Sequence, residues 1–146
     1  MTQPSLSRFS SPRNSVPGHE FSGIIAEIGS KVQRTEQFAI GDRVVAPFIL
    51  SCGDCTFCCR HNRPTVCLQQ EQPGFTYFGS FAEYVAIPRA GRNVKTLPST
   101  VSLVQAAALG CRFTTAYRAV LQQGRLLAGE SVAIFGCGGV GLSCIM

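Results

Sequence analysis

Cys52-Gly53-Asp54-Cys55-Thr56-Phe57-Cys58-Cys59, closed by Cys67, is the stretch from which the rest of the chain is read. Two Cys-x2 steps followed by a later cysteine let a short loop present four thiolates to one tetrahedral metal ion without help from a large core. Cys58 and Cys59 are adjacent, so two spacings are open. Cys58 gives Cys-x2-Cys-x2-Cys-x8-Cys, which is favoured, and Cys59 gives Cys-x2-Cys-x3-Cys-x7-Cys. A structural zinc lobe over residues 52–67 is the expectation. A disulfide-bonded loop or an iron-sulfur site uses the same residue type, and spacing alone leaves both open.

Composition narrows the setting. The 146 residues are 45% hydrophobic and 14% charged, which suits a folded globular chain and not a disordered one. The net charge of +5 comes from Lys and Arg scattered between Arg8 and Arg125 without a basic run. No nucleic-acid partner is therefore expected. No apolar run approaches the ~18 residues of a membrane span, so no membrane partner is expected and a soluble, cytoplasmic protein is.

Working outward from the cysteines, residues 1–18 hold five Ser, three Pro, two Arg and no acid, and read as an irregular leader, disordered over 1–15. Short β-like runs flank the lobe: Ile24–Ile28, then Arg43–Phe48 after a Gly41-Asp42 turn, Phe81–Ile87, and Val94–Leu97 before Pro98. Strands of that size, punctuated by Gly and Pro, suggest a mainly β domain over 16–100 built as a small barrel or sandwich. After Pro98, Ser102 and Gln105 form a capping box on a helix that Gly110 is expected to end. Thr115–Leu121 reads as a second helix stopped by Gly124, so 101–128 form connecting helices. Ser131–Phe135 then reads as a buried parallel strand running into glycines.

Gly136-Cys137-Gly138-Gly139-Val140-Gly141 fits G-x-G-x-x-G at that strand's end. Gly136, Gly138, Gly139, Val140 and Gly141 could let backbone N–H groups approach a dinucleotide pyrophosphate, so 129–146 reads as the opening of an α/β Rossmann domain. The acidic residue about 20 positions further on, which holds the ribose, is not within this sequence. Gly18-His19-Glu20 sets an imidazole beside a carboxylate at the entrance to the first strand, where the two can coordinate or tune a metal. Cys111 lies at a helix junction, where a lone cysteine is commonly a small buried hydrophobe.

In this order the pieces resemble the zinc-dependent medium-chain alcohol dehydrogenases over about residues 16–146. The Gly-His-Glu at 18–20 is similar to that family's catalytic-zinc histidine motif, and Cys52, Cys55, Cys58 (or Cys59) and Cys67 to its structural-zinc lobe. Cys111 in Gly-Cys-Arg-Phe-Thr-Thr is similar to its later catalytic-zinc cysteine, and Gly136–Gly141 to its dinucleotide fingerprint.

The resemblance implies a GroES-like β-barrel catalytic domain joined to a truncated Rossmann domain. It implies hydride transfer between a small-molecule alcohol or aldehyde and a nicotinamide cofactor, NAD or NADP, with zinc as Lewis acid. By the same resemblance His19, Glu20 and Cys111 are the catalytic-zinc residues, Arg112 and Thr115 face the nucleotide, and the complete protein is a homo-oligomer. One departure matters: the family carries another catalytic-zinc cysteine upstream of Gly-His-Glu, and no cysteine precedes Cys52 here. The ligand set is accordingly expected to be incomplete. A catalytically silent zinc-binding β domain, serving as a binding or interaction module, is the alternative expectation.

Overall fold

A computed structural model describes residues 15–30, 32 and 38–146. The leader expected over residues 1–15 lies, but for Ser15, outside the described residues. Three short strands make one antiparallel sheet in the order β1 (Ser22–Ile24), β2 (Arg43–Val45) and β3 (Lys95–Thr96). Ser22 pairs with Val45 and Ile24 with Arg43 on one side of β2, while Val44 faces Thr96 and Val45 faces Lys95 on the other.

The expected Gly41-Asp42 turn launches β2. Gly41 sits at φ 96°, a conformation glycine takes without steric cost, and the Asp42 carboxylate accepts the Ala39 N–H at 2.8 Å. Arg43 then closes the far end of the sheet by donating to the carbonyls of Pro98, Ser99 and Val101.

The cysteine loop leaves the sheet region between Ala46 and Val94, both buried. It contains α1 (Thr56–Cys59) and a single 3-10 turn at Pro64–Val66. Leu50 pairs with Glu71 in an isolated antiparallel bridge that closes the base of the excursion. After α2 (Ala90–Asn93) and β3, helix α3 (Leu103–Ala107) opens on the expected capping box. The Ser102 hydroxyl accepts the Gln105 N–H, and the Gln105 side chain accepts the Ser102 N–H at 3.1 Å. Then come α4 (Thr114–Tyr117) and α5 (Gly139–Ile145), with α5 packed on α4.

Five local expectations are corrected. The first strand begins earlier than expected, at Ser22, and ends at Ile24. Phe81–Ile87 forms no strand: Gly79, Ser80 and Phe81 donate their N–H groups to Val16, Gly18 and Pro17, so this segment is tied to the strap before β1. Phe81 and Tyr84 are each 76% exposed. Ser131–Phe135 is not a strand either, because no described strand lies beside it to share a ladder, and Phe135 is 98% exposed.

Gly110 does not stop the helix. α3 ends at Ala107, and the chain keeps a helical path through a wide π-type turn at Leu109–Phe113. Gly110 serves close approach instead: a Cβ there would stand 2.5 Å from the Ala46 carbonyl oxygen, and the Gly110 carbonyl accepts the Phe48 N–H at 2.9 Å. Likewise the second helix is only α4, followed by a second wide turn at Arg118–Gln123, with the Gly124 N–H donating to Ala119 as expected of a stop.

Among the described residues, three of the eight buried apolar ones, Cys52, Cys58 and Cys67, belong to the cysteine loop and not to the sheet. A core this thin needs a covalent or metal staple to hold the excursion closed.

Candidate metal centre and cofactor-facing site

The loop brings the sulfurs of Cys52, Cys55, Cys58 and Cys67 within 4.8 Å of one another. The Cys52–Cys58 and Cys55–Cys67 sulfur separations are 3.9 and 3.8 Å. A tetrahedral zinc with bonds of about 2.3 Å requires sulfurs about 3.8 Å apart, so the donor set fits the ion in number, type and span. Local geometry explains the convergence. Cys55 stands at the N-cap of α1, whose first turn turns Cys58 back toward Cys52, and Gly53 at φ 90° allows the sharp bend between the first two ligands. Cys59, one residue further round α1, points away: it is exposed and its thiol donates to the Gly53 carbonyl at 3.0 Å. The geometry therefore brings Cys58 into the cluster and leaves Cys59 outside it.

Backbone N–H groups from Cys52, Cys55 and Gln69 reach the sulfurs of Cys67, Cys52 and Cys67, each at 3.3 Å. Such donors stabilise thiolate charge and fix sulfur orientation. The four thiols differ before metal arrives. Cys55 is held down to about 6, first by a backbone hydrogen bond from Leu68, whereas Cys52 is pushed up to about 12, first by its hydrogen bond with the Asp54 carboxyl. The thiol protons leave as a metal enters.

Asn93 holds the base of the loop, a role the sequence reading missed. Its Oδ1 accepts the Ser51 N–H at 2.9 Å, and its Nδ2 donates to the Ser51 carbonyl at 3.1 Å in a buried setting. Ser51 Oγ in turn accepts from Arg92 Nε at 2.9 Å. Asn93→Ala leaves the Ser51 amide buried without its acceptor, and a loss of about 1–3 kcal/mol in urea unfolding is expected. A change below about 0.5 kcal/mol, the range of ordinary surface substitutions, contradicts this role.

The second candidate cluster is looser. The His19, Phe48 and Phe75 rings form a three-ring cluster, with centroids 4.8, 5.4 and 5.6 Å apart. Glu20 is engaged by Arg112, whose backbone N–H donates to Oε1 at 3.0 Å and whose guanidinium stands 3.2 Å from Oε2. Burial, then the nearby Glu20 charge, pushes the Cys111 thiol up. Among the described residues, the four loop cysteines make a metal-ready group, and His19, Glu20 and Cys111 do not converge into another.

Cys111 also lines a cavity of about 620 Å³ that runs between the base of the cysteine loop and the helical stretch after α3. Phe48 and Thr115 lie on the same wall lining.

Gly136–Gly141 forms the turn into α5. Gly136 sits at φ 108°, and a Cβ on Gly141 would lie 1.9 Å from the Gly136 carbonyl oxygen, so glycine is needed at both ends of the motif. Gly139 lies against Arg112, with 2.8 Å between the Arg112 Cδ and the place a Cβ would occupy. Arg112 therefore touches both Glu20 and the glycine turn. Gly138 is the N-cap of α5, Val140 lies in its first turn, and no side chain caps the helix.

Residues 2–99 match the family described as the alcohol dehydrogenase GroES-like domain. A curated alcohol dehydrogenase of Geobacillus stearothermophilus is 37% identical over 127 residues, which are 86% of this chain and 36% of that protein. The solved alcohol dehydrogenase from Thermus sp. ATN1 superimposes with a TM-score of 0.81 at 36% identity, covering 90% of this chain and 38% of its own. A solved NAD-dependent alcohol dehydrogenase superimposes at 0.78 with 32% identity, over 92% of this chain and 38% of its own. The chain thus spans little more than a third of the length of these relatives.

Proposed function

The chain belongs to the alcohol dehydrogenase GroES-like domain family, and from that premise we propose that it serves a zinc-dependent oxidoreductase moving a hydride between an alcohol or aldehyde and NAD or NADP. The mainly β GroES-like class expected from the sequence is borne out by the family match and the superpositions. The observation that carries the functional reading is the four-sulfur cluster, whose 3.8 and 3.9 Å separations suit zinc, set within a domain of this family. In this reading Cys52, Cys55, Cys58 and Cys67 hold a structural zinc. His19, Glu20 and Cys111 serve a catalytic zinc, and Gly136, Gly138, Gly139, Val140 and Gly141 serve the dinucleotide.

Zinc supplies Lewis acidity toward the substrate oxygen, and the nicotinamide gives or takes the hydride. The chain's own residues position and shield. Phe48 and Phe75 pack against the His19 ring and against each other. Arg112 holds the Glu20 carboxylate and itself packs against the glycine turn at Gly139. Phe48 and Cys111 bound one cavity, so a substrate lying there meets an apolar wall and the candidate ligand together.

The domain division follows: a GroES-like unit over 16–100 with its lobe at 52–67, connecting helices over 101–128, and a nucleotide-binding opening over 129–146. Among the described residues no helix is long and apolar enough to cross a membrane. We place the protein in the cytoplasm, as a homo-oligomer.

A silent zinc-binding module is the second reading. One observation favours it: Glu20 gives both carboxylate oxygens to Arg112, and the three candidate ligands do not converge. Zinc per chain by elemental mass spectrometry, on the wild type and on His19→Ala, separates the two. Two zincs, one lost with His19, together with alcohol-dependent reduction of NAD or NADP, is the expected result. A single zinc indifferent to His19, with no turnover in the longest reading frame containing this chain, overturns the enzymatic reading and leaves the module.

A further inference from the structure

Four arginines around the cysteine loop and the helical stretch are used in two different ways. Arg89 pairs with Glu71 at 3.4 Å and Arg112 with Glu20 at 3.2 Å. Arg92 and Arg118 have no carboxylate partner among the described residues, and both line the 620 Å³ cavity that also contains Phe48 and Cys111. No Asp or Glu lines that cavity.

Each guanidinium is steadied from one side. Arg92 donates through Nε to Ser51 Oγ at 2.9 Å, and Ser51 is itself clamped by Asn93, so this arginine rests on a buried anchor. Arg118 donates through Nη1 to Gln122 at 3.3 Å, one helical turn away. A guanidinium carries five N–H donors, so each keeps most of its fork for another acceptor. Thr65 and Thr115 add hydroxyls to the same lining. Arginine is the side chain best matched to the planar, two-oxygen face of a carboxylate or phosphate.

We propose that this cavity selects alcohols or aldehydes that carry an oxyanion, a carboxylate or a phosphate ester, gripped by Arg118 and Arg92 while the apolar middle of the molecule lies along Phe48. The inference rests on the oxidoreductase reading above and supplies its substrate class. The two arginines come from different elements, Arg92 from α2 and Arg118 from the helical stretch that also carries Cys111. A molecule in this cavity has its charged group fixed by the arginines and its hydroxyl carbon left toward Cys111. Neutral alcohols of the same length lose the charge-assisted hydrogen bonds, which are worth about tenfold in affinity or more.

The test is calorimetric binding of three matched probes to the full chain: an unbranched alcohol, the hydroxy acid of the same length, and the corresponding phosphate ester. They are titrated into the wild type, Arg118→Gln, Arg92→Gln and Arg118→Lys. At low salt the hydroxy acid or phosphate ester is expected to bind about tenfold tighter than the alcohol, and the better of the two identifies the oxyanion. Either Gln variant should remove most of that advantage without changing alcohol binding. Arg118→Lys should retain part of it, with unchanged thermal unfolding showing that the fold is intact.

Equal binding of charged and neutral probes overturns the proposal. So does an advantage that survives in the Arg92→Gln/Arg118→Gln double variant. Arginine-dependent oxyanion binding, in a protein whose longest reading frame reduces no nicotinamide with any of the three probes, supports the anion site while overturning the oxidoreductase reading.

Discussion

Cys55→Ser is expected to take the chain from about one tightly held zinc in the lobe to almost none there, and to unfold the excursion between Leu50 and Glu71. A serine hydroxyl offers no thiolate, and three sulfurs leave a zinc site open. Structural zinc contributes on the order of 10 kcal/mol to small domains that depend on it. Here the loss falls on a lobe that supplies three of the eight buried apolar residues among those described, so little described core compensates. A fall in melting temperature on the order of 10 °C is expected, because each kcal/mol moves a chain of this size by several degrees.

Cys59→Ser is the internal control. Its thiol donates to the Gly53 carbonyl on the exposed side of α1, and its removal should cost less than about 0.5 kcal/mol and no zinc. Elemental analysis with parallel thermal melts reads both variants. Should Cys59→Ser lose the metal while Cys58→Ser keeps it, the ligand assignment made from the geometry is wrong.

Gly79→Ala is the second large effect. A methyl at position 79 would stand 2.2 Å from the Gly18 carbonyl oxygen and 2.6 Å from that of Pro17, both of them backbone atoms. Nothing flexible can yield. The crossing is tight from both directions: Gly18 sits at φ 103° with its own missing Cβ 2.6 Å from Phe81 and Ser80 side-chain atoms, and the Gly79 amide donates to Val16 at 2.7 Å. An alanine must push the Pro17-Gly18-His19 strap away and break those bonds. The expected cost is about 3 kcal/mol, with larger values possible where the backbone cannot relax. The His19 ring should also leave its place against Phe48 and Phe75. Chemical denaturation and the proton NMR shifts of the His19 ring report the two effects separately. A stable protein with an unshifted His19 resonance would show that the crossing is not a constraint.

The contrast between these residues shows what the sequence could disclose. The metal cluster was legible because its ligands lie close along the chain, and their spacing alone nearly determines the geometry. Its one ambiguity, Cys58 against Cys59, was open because both residues sit in the same short helix and only the direction of the turn separates them. The capping box at Ser102 and Gln105 was legible for the same reason, as was the turn at Gly41-Asp42.

The glycine crossing was not. Gly79 meets residues some sixty positions away, and its neighbours Phe81–Ile87 have the apolar, β-branched character of a strand while spending their first N–H groups on the strap. Gly110 was misread similarly: a glycine after a helix suggests a terminator, whereas here it admits the backbone of Ala46. Ser131–Phe135 has the composition of a buried strand, but composition cannot supply the neighbouring strand that a ladder needs. Asn93 and the pairing of Glu20 with Arg112 likewise depend on contacts that no local pattern announces.

The reach of those contacts also fixes the order in which the chain can acquire its shape. Ser22 in β1 donates to Leu103, Arg43 to carbonyls between residues 98 and 101, and Glu20 is held by Arg112, 92 positions later. β1 can pair with β2 as soon as residues 43–45 are made, but these ties to residues 98–112 come only after more than a hundred residues have left the ribosome, whereas the cysteine loop closes between Cys52 and Cys67, only 15 positions apart. Closing a short loop costs far less chain entropy than closing a long one, and folds dominated by distant contacts form slowly. The lobe is positioned to close early, while the contacts from Glu20, Ser22 and Arg43 to residues 98–112 are still to be made.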